Sequence, residues 1–556
     1  MGYSSWALTA LLLLPAFGMA AVLIGREEHA KHLALAMSTV AFIVSVPLWF
    51  TYSAATPAFQ FTSSIAWIPQ WGIHYRVGID GISLLLVLLT TALFPIAILG
   101  AYSYIARRSK AFYAMILLLE TGVLGVFVAL DLFMFFMFWE IMLVPMYFII
   151  GIWGGERRIY AAIKFFLYTA VGSLLMLVGI LYLFFKYRAL TGDLSFAYMD
   201  LLQLPLTFTE QYWLFGAFAL AFAIKVPIFP FHTWLPDAHV EAPTPGSVIL
   251  AAVLLKLGAY GFLRFLLPLF PQASTHPTIV MIMMVLGLIG ITYGAWVAAV
   301  QPDAKKLIAY TSVAHMGFVV LGIFALTLQG IQGAMIVMLS HGLSTGAMFL
   351  LLGMLYERRH TRAIDDFGGL AAVAPGFAAV FVFTALVSIG LPGTSGFVGE
   401  FLALIGTFQT HPWVAVIATL GVIFAAYYML PMVQKILFNS LTRPENLRLP
   451  DLNGREIAVL APLVAGMIWM GVYPKPFLER VDVTLTTLIE TVERKSAQTS
   501  FPLGMEIETD APAEAAVVPA VPVTDGTDGT PAANGARPDS RTGNIVASAG
   551  AGADAE

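Results

Sequence analysis

The sequence predicts an all-α, polytopic membrane protein of about fourteen transmembrane helices. Three observations carry this. The 556 residues are 59% hydrophobic and only 11% charged, with a mean hydropathy of +0.84. Soluble domains hold about 25% charged residues, so there is too little polar surface here to clothe a globule. Apolar stretches long enough to cross about 30 Å of hydrocarbon recur along nearly the whole chain. Basic residues fall almost wholly in alternate loops.

The stretches start near Ser4, His32, Ile79, Ala111, Leu132, Tyr160, Tyr212, Ser247, Pro277, Lys306, Gly330, Ala372, Trp413 and Glu456. The first lacks a basic flank before its apolar run and reads as a retained span, not a cleaved signal peptide. Odd-numbered loops hold Arg26 and Lys31; Arg107, Arg108 and Lys110; Arg157 and Arg158; Lys305 and Lys306; Arg358, Arg359 and Arg362; and Lys435, Arg443, Arg448 and Arg455. Even-numbered loops hold only Arg76, Lys186 and Arg188. Odd loops are therefore expected in the cytoplasm and both termini outside. Pro476–Lys495 reads as a short interfacial helix. The acidic Ala/Pro-rich stretch after it, 496–556, has too little apolar surface to offset its ordering entropy and is expected to be disordered.

Zero cysteines exclude disulfides, thiol catalysis and cysteine-ligated iron–sulfur or zinc centres within the chain. Neither the acidic tail nor the rest is basic enough to point to nucleic acid. No Walker loop, dinucleotide glycine pattern or HExxH motif is present, so nothing supports ATP-driven transport. His232, Asp237 and His239 match no zinc spacing, and no metal or cofactor site is expected in this chain.

Two segments resemble each other: Gly172–Tyr182 (GSLLMLVGILY) in span six and Gly346–Tyr356 (GAMFLLLGMLY) in span eleven. Each precedes a proline-broken span, with Pro227 and Pro230 in span seven and Pro392 in span twelve. An offset of five spans gives the two units opposite topology. This predicts two inverted five-helix repeats with broken helices seven and twelve. The expected divisions are 1–110 (spans one to three), 111–271 (repeat one), 272–440 (repeat two), 441–495 (last span and interfacial helix) and 496–556 (tail).

Ionisable side chains inside these spans are the main functional signal, since each costs about 2.5–3.5 kcal/mol at a helix centre. At 1.5 Å per residue, Glu140 lies about 12 Å into span five, Lys225 about 20 Å into span seven and Lys256 about 14 Å into span eight. Glu400 lies about 16 Å before the end of span twelve by the same rise. Glu120, Lys164, His315 and His341 are also within spans. Desolvation and a nearby carboxylate act oppositely on a lysine, so a movable acid–lysine contact loads and releases a proton. Histidines make relays between such stations. The prolines are expected to free the carbonyls of Ala223, Val226 and Ser388 for water beside this path. Buried ion pairs that merely fix helix register are the competing reading, and it weakens as the number of midplane charges grows.

Several local motifs form one pattern: GIDGISL at Gly78–Leu84, FWEIMLVPMY at Phe138–Tyr147 and AIKVPIFPFHTWLPDAHVEAPTPGSVILA at Ala223–Ala251. With them stand LLKLGAYG around Lys256, DAKKLIAYTSVAHMG at Asp303–Gly317, MLSHGL around His341 and GLPGTSGFVGEF at Gly390–Phe401. Together they resemble the antiporter-like subunits of respiratory complex I, the proton-pumping NADH:quinone oxidoreductase, over nearly all of residues 1–475. Glu400, where the L and N types typically carry lysine, makes the M type the most similar. The resemblance implies that Glu140 and Lys225 are the family's acid–lysine pair and Lys256 its central proton carrier. Glu400 would be the station toward the outside, with His315 and His341 as relays. It implies a bacterial inner-membrane enzyme subunit without redox chemistry of its own, beside L- and N-type subunits. FMN, iron–sulfur clusters and quinone would sit in partners. Multi-subunit cation/proton antiporters and membrane-bound hydrogenases share the fold and are the alternative. The acidic tail departs from the family.

Overall fold

A computed structural model describes residues 2–105 and 107–498. The predicted tail therefore lies outside the described residues, except for its first three. Twelve helices among the described residues are long and apolar enough to cross a membrane unbroken. They match every expected span but the seventh and twelfth. Those two are interrupted: span seven is Phe208–Lys225 followed by Trp234–Glu241, and span twelve is Pro375–Ile389 followed by Ser395–Thr410. The count of fourteen thus resolves into twelve whole helices and two in pieces.

Where loops are short, polar caps start the helices. Asp131 accepts from the backbone N–H groups of Phe133 and Met134, so the tight connection before span five (Leu132–Trp153) is an N-cap. Thr207 with Glu210 and Asn453 with Glu456 form capping boxes at spans seven and fourteen. Span twelve borrows its cap. Pro375 occupies its first position, and the Asp451 carboxylate, from the loop before span fourteen (Gly454–Val472), accepts from Gly376 N at 2.8 Å and Phe377 N at 2.7 Å.

Burial pushes the Asp451 carboxyl up, but the N–H groups of Gly376, Leu452 and Phe377 outweigh this and hold it below the usual carboxylate range. A depressed native value means the anchoring is intact above the unfolded carboxyl pKa and is lost as pH falls through the native one. Asp451→Ala is expected to weaken this end of span twelve by about 1 kcal/mol, roughly fivefold faster hydrogen exchange at Gly376 and Phe377 at neutral pH. The difference from the parent protein should shrink below about pH 4.

One element was not expected. Gln60–Ile68 and Ile73–Ile79, β1 and β2, pair as an antiparallel hairpin. It docks on the loop before span five through a Val77–Ala129 bridge and a Leu130 N–H bond to the Arg76 carbonyl at 2.9 Å. At the other end of the chain a helix spans Lys475–Gln498, covering the expected Pro476–Lys495.

Span eight, Thr244–Leu269, is wholly buried. Two π-helical turns, Leu250–Leu254 and Phe262–Leu266, interrupt its α-helix. Such wide turns favour functional positions.

Candidate functional site

Four of the six predicted stations come together. Lys256 follows the first π turn of span eight, His315 sits in span ten (Ala304–Phe324), His341 in span eleven (Leu328–Arg359) and Glu400 in the second piece of span twelve. Lys256 Nζ donates to the Ala251 carbonyl at 2.7 Å and lies 2.7 Å from His341 Nδ1. The rings of His341 and His315 are 5.7 Å apart, and His315 Nδ1 is 2.8 Å from Glu400 Oε1. All four are buried. Spacing by 85 residues on each side, Lys256 to His341 and His315 to Glu400, hides this from any local reading.

The gap between the two histidines opens on a polar cavity of about 10 Å³, room for about one water. Ser340, Ser344 and Ser388 line it with His315, His341 and Glu400. Sequence reasoning passed over these serines, because a lone hydroxyl in a helix carries no signal of its own. His341 Nε2 has no protein partner.

The other two stations stand differently. Lys225 and Glu140 make no ion pair within 4 Å; Lys225 Nζ and Glu140 Oε1 both lack a hydrogen-bond partner among the described residues. The lysine head lies instead 5.6 Å from the Trp139 ring and 5.3 Å from that of Phe165. Aromatic faces hold a cation without fixing it to one acceptor.

The other two in-span charges touch polar side chains, although Glu120 Oε2 has no partner among the described residues. Lys164 pairs with Asp237 at 2.7 Å, and Glu120 accepts from Ser38 at 3.0 Å. Asp237 is thus committed elsewhere, while His239 stacks on Phe349 with ring centroids 4.8 Å apart and His232 stacks on Phe229. No cluster of three metal-ligating side chains occurs among the described residues.

The break in span seven differs from expectation. The Ala223 carbonyl freed by Pro227 is taken by Ile228 N at 2.8 Å, and the Ile224 carbonyl by the Trp234 indole at 2.9 Å. Protein groups donate to both of these carbonyls. In span twelve the break passes through Gly390, in a left-handed conformation at φ +83°.

A helical bundle with two broken spans and a line of touching titratable groups through its interior defines an ion-translocating membrane subunit. Residues 129–425 match the family model described as NADH:quinone oxidoreductase/Mrp antiporter, TM. The Rhodobacter capsulatus NADH-quinone oxidoreductase subunit M is 48% identical over 84% of this chain and 91% of its own length. The Marchantia polymorpha NADH-ubiquinone oxidoreductase chain 4 is 43% identical over 87% of this chain and 97% of its own. A chain of respiratory complex I from Thermus thermophilus with bound NADH superposes with a TM-score of 0.80 at 34% identity, covering 87% of this chain and 99% of that one. The chain belongs to the NADH:quinone oxidoreductase/Mrp antiporter membrane family, in its subunit M/chain 4 branch.

Proposed function

We propose that this chain is a proton-translocating membrane-arm subunit of complex I, driven by NADH-to-quinone electron transfer in partner subunits. The line Lys256–His341–His315–Glu400, hydrogen-bonded at both ends and bridged in the middle by histidine rings 5.7 Å apart, is the observation that carries this reading. A proton on Lys256 has an acceptor nitrogen 2.7 Å away. A water between the histidines supplies the one missing link, and Glu400 closes the line. Glu140 and Lys225 act one step earlier: the lysine, held by aromatic faces rather than by the carboxylate, is free to change partner.

The broken spans support dividing the chain into 1–110, repeat one at 111–271, inverted repeat two at 272–440, a closing segment at 441–495 and the tail. In repeat one the span after the break carries π turns, and in repeat two span thirteen (Pro412–Phe438) ends in one. The basic loops support a cytoplasmic face for the odd loops and an outside location for both termini, in a bacterial inner membrane. L- and N-type subunits are the proposed neighbours. FMN, iron–sulfur clusters and quinone are assigned to partners, since no motif here would bind them.

The test is proton pumping per electron in vesicles holding the whole complex. Lys225→Ala and Glu140→Ala are each expected to lower the ratio, by about tenfold or more in pumping rate for the lysine. Unimpaired pumping in a normally assembled complex overturns the reading. Co-purification without flavin or iron–sulfur subunits would favour a self-standing cation/proton antiporter.

A further inference from the structure

Span eight carries a second set of buried polar groups that the line above does not use. Lys256, Tyr260 and Arg264 follow one another at four-residue spacing, all buried, with Arg264 about 12 Å beyond Lys256 by helical rise. The Tyr260 hydroxyl donates to the Phe127 carbonyl at 3.2 Å and lies 3.3 Å from the Ser83 hydroxyl. Arg264 Nε donates to Tyr260 at 3.3 Å, and Arg264 Nη2 is hydrogen-bonded to the Asp80 carboxylate and lies 3.5 Å from the Ser83 hydroxyl. Asp80 also caps span three (Gly81–Gly100) by accepting from Ser83 N. The Tyr260 and Ser83 hydroxyls touch each other, and the Arg264 guanidinium stands between them and the Asp80 carboxylate; without it these groups would form a polar path from one turn beyond Lys256 toward the hairpin end of the bundle.

We propose that the Arg264–Asp80 pair is a proton seal: it blocks that direct route along span eight, so that a proton on Lys256 leaves only sideways, through His341. The proposal rests on the proton-transfer reading above. A guanidinium does not give up its proton inside a protein, so it cannot pass one on. As a fixed cation in a low-dielectric interior it repels an approaching proton. It also occupies Asp80, the acceptor at which the hydroxyl ladder would end.

The surroundings keep the pair dry and in place. The guanidinium lies 5.0 Å from the Phe59 ring and 5.5 Å from that of Tyr260. Over Asp80 runs the helix Lys475–Gln498. Its backbone approaches so closely that a Cβ on Gly81 would sit 2.1 Å from the Arg480 carbonyl oxygen. Gly81 N donates to the Thr484 hydroxyl at 3.3 Å. Arg264 itself lies within the second π turn.

The experiment is passive proton conductance of the whole complex in proteoliposomes under an imposed potassium–valinomycin potential, with no electron donor present. Arg264→Gln is expected to raise the leak by about tenfold or more and to lower protons pumped per electron while quinone reduction continues. Adding Lys256→Met is expected to abolish the extra leak, because the escaping proton comes from Lys256. An assembled Arg264→Gln complex with the parent leak rate overturns the proposal, as does a leak that survives Lys256→Met. If the single variant fails to assemble, Arg264→Lys is measured instead: it keeps the charge opposite Asp80 but can release its proton, and it carries the same two expectations. A pair that only ties helices together would alter assembly and leave conductance unchanged. Failure of the seal leaves pumping by the parent complex intact, whereas failure of the underlying reading shows as normal pumping in Lys225→Ala.

Discussion

Lys256→Met should stop proton translocation through this subunit while leaving the complex assembled. Methionine matches the length and apolar stem of the lysine, so the packing of span eight is kept. The substitution removes the one group that bonds both the Ala251 carbonyl and His341 Nδ1. Losing those two hydrogen bonds costs about 1–3 kcal/mol, which a bundle of this size tolerates. The functional loss is larger, because no other titratable side chain contacts His341 Nδ1. Pumping rate in vesicles is expected to fall by about a hundredfold, some 2.7 kcal/mol on the barrier. The check is a pH-sensitive dye assay beside quinone reductase activity and native-gel assembly. A pumping rate within about twofold of the parent would refute the central role of the lysine.

The second large effect is steric. Spans eleven and twelve approach backbone to backbone, and a Cβ on Gly406 would lie 2.1 Å from Gly330 N and 2.3 Å from Gly330 Cα. Small residues allow such contact, and backbone atoms cannot swing aside as a side-chain tip can. Gly406→Val must therefore push the helices apart. It is expected to destabilise by about 3 kcal/mol or more, at or above the upper end for overpacking. Glu400 moves with span twelve, so its 2.8 Å contact to His315 of span ten should lengthen as well. Thermal melting of the purified complex and vesicle pumping should both drop, with Gly406→Ala between the variant and the parent.

Much of this was legible in the residues, for physical reasons that also mark where legibility stopped. Hydrocarbon demands that each crossing be long, apolar and internally hydrogen-bonded, so spans show in hydropathy and breaks show as prolines. Titratable groups inside such spans announce themselves by their cost. Their partners do not. Arg264 and Asp80 are separated by 184 residues, and nothing local to either names the other. The acid–lysine contact read for Glu140 and Lys225 is absent, because Trp139, next to Glu140, and Phe165 offer the lysine a competing site. The hairpin was hidden for another reason. Its strands alternate with a period of two, but β1 leaves most of its side chains exposed and so lacks a buried apolar face. The π turns leave little trace, since span eight is buried on every side and presents no solvent-facing stripe whose period could shift.

The gap between Lys225 and Trp234 bears on how such a subunit works. The indole of Trp234 holds the Ile224 carbonyl and Ile228 N holds that of Ala223, so two carbonyls at the interruption are satisfied by the protein itself. A hinge already opened, with its raw ends dressed, requires no unwinding on each turnover. On the proton-transfer reading proposed above, what moves here can be as small as a lysine tip, a ring flip or a file of solvent molecules.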